Sequence, residues 1–104
     1  MPLIVEAQET GLRVRLEGEF TIFQASEYKQ PLLDCVHKAP ELEVDLAWVE
    51  EIDTAGVQLM LLLKREAVRL GHEVVFSHHS HAVLDVINLL HLTGPLGDPV
   101  LITR

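Results

Sequence analysis

The clearest chemistry in this sequence is a hydroxyl at the mouth of a helix, in the run Asp53-Thr54-Ala55-Gly56. The run sits where Leu42-Glu43-Val44-Asp45-Leu46, alternating like a half-buried strand, gives way to the strongly helical Val57-Gln58-Leu59-Met60-Leu61-Leu62-Leu63. A hydroxyl there faces free backbone N–H groups and the positive end of the helix dipole. An anion at such a position is stabilised. Thr54 is therefore either an ordinary N-cap or a residue placed to receive a phosphate, and position alone favours the cap, because Thr is a common one.

Other chemistry is harder to find. Gly11, Gly18 and Gly56 stand isolated, so no glycine-rich phosphate loop is present. No Gly-x-Ser-x-Gly elbow occurs, which leaves a hydrolase without a nucleophile. Glu50, Glu51 and Asp53 form an acidic cluster, but neighbouring carboxylates in a connector lie on solvent more often than they do acid–base work. His78-His79-Ser80-His81, with His72 close by, is the most enzyme-like distraction. Zinc sites use histidines at helical spacing or with Cys and carboxylate partners, whereas this cluster straddles a strand-to-helix loop in which Ser80 reads as a cap. No metal site, catalytic residue or cofactor is expected. Trp48 is read as covering the edge of the core, with a recognition surface as the alternative.

Composition bounds the class. At 104 residues with 48% hydrophobic content, residues 1–104 form a single domain with a real core. The longest apolar run, Leu59 to Leu63, is far shorter than the roughly 18 residues of a membrane span. Met1-Pro2-Leu3-Ile4-Val5-Glu6 lacks a basic n-region and is not expected to be a signal peptide. A single cysteine, Cys35, excludes an internal disulfide, fits a reducing cytoplasm and reads as a small buried hydrophobe. A net charge of −8 disfavours nucleic acid and anionic membrane as direct partners. Lys64, Arg65 and Arg69 cluster where cations suit the end of a helix dipole.

The elements that would position Thr54 follow from periodicity. Leu3-Ile4-Val5 and Leu12 to Leu16 read as an antiparallel hairpin around Glu9-Thr10-Gly11, and Gly18 ends the second strand. Thr21, three residues before Gln24, opens a helix to about Lys38. Pro31 is expected to kink it or split off its first turns. A strand at Leu42–Leu46 and a connector from Ala47 to Ile52 lead to a second helix, Thr54 to Leu70, closed by Gly71 in the left-handed C′ position. The first half of that helix is apolar nearly all round, so it is either buried on several sides or lends one side to a partner, burial being the commoner case. Glu73-Val74-Val75-Phe76 is a strand, a third helix begins after Ser80 and ends at Thr93-Gly94-Pro95, and Val100-Leu101-Ile102 makes a last strand. The predicted fold is α/β. It has a mixed sheet of four or five strands, an N-terminal antiparallel hairpin, parallel later crossovers, and three or more helices packed mainly on one face.

In this order, Leu16-Glu17-Gly18-Glu19 after a hairpin, then a helix, Val44-Asp45-Leu46, and Ile52-Asp53-Thr54-Ala55-Gly56 before an apolar helix resemble the STAS domain, named for sulfate transporters and anti-sigma factor antagonists. The resemblance spans almost the whole chain, including Gly71 and the third helix at Ala82 to Leu92. It implies a cytoplasmic partner-switching protein that is not an enzyme. Such a protein binds an anti-sigma factor that is also a protein kinase, is released by phosphorylation, and is restored by a phosphatase. Residue by residue it makes Thr54 the phosphoacceptor and Asp53 its acidic neighbour. The partner-binding surface becomes Phe20, Ile22, Phe23, Asp53, Thr54, Gly56 and Val57, with Gly56 keeping the helix entrance open to a partner. Two departures matter: the family's common Asp-Ser-Ser-Gly is here Asp53-Thr54-Ala55-Gly56. Thr at the first position also occurs in lipid-transport members that sit on an ABC ATPase without phosphorylation, which is the alternative reading. Phe20-Thr21-Ile22-Phe23 resembles small STAS proteins encoded beside chemotaxis genes, whose partners are histidine-kinase-like.

Overall fold

The computed structural model describes residues 3–91. Within them the order is β1 (Leu3–Ala7), β2 (Leu12–Phe20), α1 (Ile22–Lys38), β3 (Glu41–Ile52), α2 (Thr54–Leu70), β4 (Glu73–Ser77) and α3 (His81–Leu89). The expected strand at Val100–Ile102 lies outside the described residues, and α3 stops at Leu89 with Leu90 as its C-cap, short of the expected end at Thr93–Pro95.

The described strands form one sheet in the order β1-β2-β3-β4. β1 and β2 are antiparallel, with Val5 opposite Val14, and the turn between them closes with Gln8 N–H donating to the Gly11 carbonyl at 2.8 Å. The β2–β3 and β3–β4 pairs are parallel, each joined through a helix. One sheet face is apolar: Val14, Leu16, Leu42, Val44, Leu46, Val74 and Phe76 are all buried in a single cluster with residues of every helix. α1 contributes Ala25, Tyr28, Leu32, Cys35 and Val36 at helical spacing, and α2 contributes Val57, Leu59, Met60, Leu63 and Ala67. α1 and α2 lie side by side over this face, while α3 packs against β3, whose residues beyond Asp45 have no β4 partner. Each large apolar side chain so buried contributes about 1.5–3 kcal/mol.

Four local readings change. β2 does not stop at Gly18; it runs to Phe20, with Gly18 at φ +83° beside an irregularity in its register with β3. The connector from Ala47 to Ile52 is strand, because the longer β2 supplies it with ladder partners as far as Phe20↔Ile52. Pro31 does not divide α1, which is continuous from Ile22 to Lys38. Its ring faces solvent, where the carbonyl robbed of a donor can be hydrated, and the buried Tyr28 and Leu32 hold the helix on either side. Trp48 is 58% exposed rather than covering the core. Its register with Glu17 turns it to the sheet face away from α1 and α2, among Arg15 and Glu17.

That second face is polar. Arg13 donates to the buried Asp45 carboxylate at 2.7 Å, Ser77 donates to Glu43 at 2.6 Å, and the Asp45 carboxylate also accepts the Ala47 N–H at 2.9 Å. Asp45 is buried with its charge countered, which is how a carboxylate survives in such a place.

Candidate functional site: a shared helix entrance

Because β2 and β3 are adjacent, parallel and in register at Phe20↔Ile52, they end together, and α1 and α2 start together. Asp53 sits between the two starts. Its Oδ1 accepts from the N–H groups of Ala55 at 2.9 Å and Gly56 at 3.2 Å, and its Oδ2 accepts from the N–H of Ile22 at 3.1 Å. One carboxylate therefore serves the first turns of both helices. At α1, Thr21 gives its N–H and its hydroxyl to the Gln24 side chain at 3.1 and 2.7 Å, so the Ile22 N–H falls to Asp53.

This arrangement removes the capping role from Thr54. Asp53, not Thr54, is the N-cap of α2, and Thr54 is its first helical residue, exposed to solvent. The N–H groups of Ala55 and Gly56 are taken, so the entrance does not offer them to a free anion. The Thr54 hydroxyl stands in the exposed first turn beside this carboxylate.

Of the residues assigned to the surface, Ile22 and Phe23 are 60% and 79% exposed and flank this entrance, with Thr54 exposed and Asp53 half-buried. Three do not belong to it. Phe20 and Val57 are each 1% exposed and belong to the core. Phe20 is the last residue of β2 and turns inward to stack on Tyr28, with ring centroids 6.2 Å apart. Gly56 is buried too, and its role is internal. A Cβ there would run into the Phe20 carbonyl oxygen and stand 2.9 Å from Ile52 Cγ1, so the missing side chain lets α2 seat on the ends of β2 and β3. The expectation that Gly56 opens the entrance to a partner gives way to close packing within the molecule.

Sequence reasoning missed the groove that leaves this entrance. Between α1 and α2 runs a depression of about 380 Å³ lined by Ile22, Ala25, Leu59 and Leu62, with Lys29 and Arg65 also along it. The signal was present as two stripes, 22/25/29 and 55/59/62, at helical spacing. Of the basic cluster on α2, only Arg69 fits the helix-end explanation. Lys64 donates to the Val74 carbonyl at 2.8 Å and lies over the Phe76 ring, while Arg65 lines the groove.

The remaining candidates disperse. His79 is fully buried, His81 is exposed, His72 donates to the Val36 carbonyl at 2.8 Å, and His78 stands 3.2 Å from the Ser77 hydroxyl. Among the described residues no three His, Cys, Asp or Glu side chains are grouped to hold a metal ion. Burial pushes the Cys35 thiol up, away from the reactive thiolate. No helix among the described residues is long and apolar enough to cross a membrane.

A family model described as "Mlab, STAS domain" matches residues 4–103. Among solved structures, an anti-sigma factor antagonist from Mycobacterium paratuberculosis is similar at a TM-score of 0.82 and 21% identity, over 95% of this chain and 86% of that one. The unphosphorylated anti-sigma factor antagonist SpoIIAA is similar at a TM-score of 0.74 and 19% identity, over 89% of this chain and 83% of that one. The phosphorylated form of SpoIIAA, a Bacillus cell fate determinant, gives 0.71 and 16%, over 94% of this chain and 91% of that one. At these identities the likeness is one of fold.

Proposed function

The chain belongs to the STAS domain family, and from that premise we propose that it is a partner-switching regulator, a binding module with no catalysis of its own, controlled at Thr54. In the unmodified state the entrance formed by Ile22, Phe23 and Thr54 binds an anti-sigma factor or histidine-kinase-like protein. A kinase transfers a phosphoryl group from ATP to the Thr54 hydroxyl oxygen, ADP leaves, and the complex breaks. A phosphatase hydrolyses the ester and restores binding.

One observation carries this reading: the Thr54 hydroxyl is exposed at the first position of α2 while Asp53 does the capping, so the hydroxyl has no structural duty to lose. A phosphate there brings close to two negative charges. The helix terminus favours negative charge by about 0.3–1 kcal/mol, with Asp53 offsetting part of it, so the fold tolerates the modification. A partner shaped for a neutral hydroxyl does not, since desolvating that charge or meeting like charge costs it several kcal/mol. A loss of ~3 kcal/mol weakens binding more than a hundredfold.

The test compares wild type, Thr54→Ala and Thr54→Glu by thermal melting and by titration with the partner recovered from the native cell. Thr54→Glu is expected to melt near wild type and bind poorly; Thr54→Ala is expected to bind but accept no phosphate from the kinase. Undiminished binding by both Thr54→Glu and authentically phosphorylated protein would refute the switch. The second reading, an unmodified subunit of a lipid-transporting ABC ATPase using the same surface, would then lead, favoured by Thr54–Ala55 standing where the family's common motif has two serines.

A further inference from the structure

The groove between α1 and α2 stands out electrostatically. The chain carries a net charge of −8, yet the two charged residues lining this groove, Lys29 and Arg65, are both cations. Three other cations are paired: Arg13 with Asp45 and Glu43, Arg15 with Glu17, and Arg69 with Glu66. Lys29 and Arg65 are exposed and form no ion pair among the described residues. Between the entrance and these cations the groove is lined by the apolar Ile22, Ala25, Leu59 and Leu62, with the exposed Ser26 and Gln58 also along it.

The two helices start at the same end, so the groove has a direction. Its entrance end carries the helix N-termini and Thr54, and its far end carries Lys29 and Arg65. From Ile22 to Lys29 the α1 wall is ~10 Å long, and from Ala55 to Arg65 the α2 wall is ~15 Å long, at 1.5 Å per residue. That suits a helix of two to three turns with one apolar stripe. Carboxylates are favoured in a helix's first turn, and a helix C-terminus carries the negative end of its dipole. The first preference, met over Lys29 and Arg65, sets the orientation; at the entrance Asp53 already takes the Ala55 and Gly56 N–H groups.

We propose that this groove receives an amphipathic helix of the partner protein, antiparallel to α1 and α2, with carboxylates in its first turn over Lys29 and Arg65 and its C-terminal end over Thr54. The proposal rests on the entrance being the partner-binding surface and adds the partner's chemistry and direction. It also gives the switch a second effect: a phosphate on Thr54 meets the negative end of the incoming helix as well as displacing a neutral contact.

The probes are three synthetic helical peptides of about 12 residues, long enough for three turns. They share a leucine stripe and differ in a first-turn pair of Glu, Gln or Lys. Each is titrated into the isotopically labelled full chain, with amide shifts at Ala25 and Leu59 as the readout. The Glu peptide is expected to bind at least fivefold more tightly than the Lys peptide, with Gln between. The order should collapse in the Lys29→Gln/Arg65→Gln variant, whose exposed positions leave the fold intact. A spin label on the peptide's C-terminus should broaden Thr54 and Ala55 more strongly than Lys29. Equal affinities for the three peptides, no shift at Ala25 and Leu59, or broadening centred on Lys29 would each overturn the proposal. So would a concentration-dependent dimer that shifts the same groove signals without peptide. If the peptides fail while Thr54→Glu still releases the partner, the groove proposal falls and the switch stands; the reverse pattern removes the switch and keeps the groove.

Discussion

The paired helices α1 and α2 are tied by one carboxylate at each end, and the two ties are built differently. At the entrance, Asp53 takes three backbone N–H groups, from Ile22, Ala55 and Gly56. At the far end, Glu66 takes side chains: the His37 ring at 2.6 Å and the Arg69 guanidinium at 2.9 and 2.6 Å. A tie through backbone fixes where the helices begin and leaves the side chains there uncommitted, which is why Ile22, Phe23 and Thr54 can all face solvent. A tie through side chains consumes them. The end with rigid backbone and free side chains is suited to recognition; the other end closes the fold, with Gly71 turning the chain at φ 71° and the His72 N–H reaching back to the Ala67 carbonyl.

If that contrast is right, the largest effect comes from the backbone contact beneath the entrance. Gly56→Ala drives a methyl into the Phe20 carbonyl and is expected to cost about 3 kcal/mol, at the upper end of ordinary overpacking, despite Ala's better helix propensity. Circular dichroism melts check it, and a variant as stable as wild type would mean the entrance is not fixed by close packing. Next is Asp53→Ala, which uncaps two helices at once and is expected to cost about 2 kcal/mol or more, where a single lost cap costs about 1. A loss no larger than that of the single cap Ser80→Ala would break the claim that Asp53 serves both helices.

At the other end the effect is smaller and disappears in acid. Hydrogen bonds from Arg69, then from His37, with their charges, hold the Glu66 carboxyl down from 4.5 to about 2. A carboxyl depressed by folding stabilises fully above its ordinary value and loses that contribution as pH falls through about 2. Glu66→Gln should therefore lower the melting temperature at neutral pH and flatten its fall between about pH 4.5 and pH 2, the two proteins converging at the acid end. An unchanged acid limb would show that the far tie carries no weight. Smallest in stability is Phe23→Asp, an exposed position, expected to stay within about 0.5 kcal/mol of wild type while weakening partner binding. Wild-type affinity would remove Phe23 from the recognition surface.

Much of this was legible in the sequence because it is local. Gly71, the Ser80 cap and the span of α2 are decided by residues within a turn or two of each other. So was the special character of the Asp53–Gly56 run. What could not be read was non-local. Asp53 and Thr54 are both good caps by type, and that Asp53 also serves α1 depends on Ile22, a residue 31 positions away. The second half of β3 looks like a polar connector until β2 is known to run on to Phe20. Phe20, Ile22, Phe23 and Val57 are equally apolar on paper. Only the seating of Gly56 on the end of β2 shows that the first and last turn inward and the middle two outward.

Trp48 has a practical consequence for studying this protein. It is the chain's only tryptophan, and it stands 58% exposed on the sheet face turned away from the paired helices. Its indole already emits from a largely aqueous setting, so intrinsic fluorescence changes little when the chain unfolds and is a poor gauge of melting. The same placement makes it a clean sentinel for geography. A partner seated on the helix entrance leaves the emission where it was, while a blue shift on mixing marks a visitor on the opposite side of the sheet.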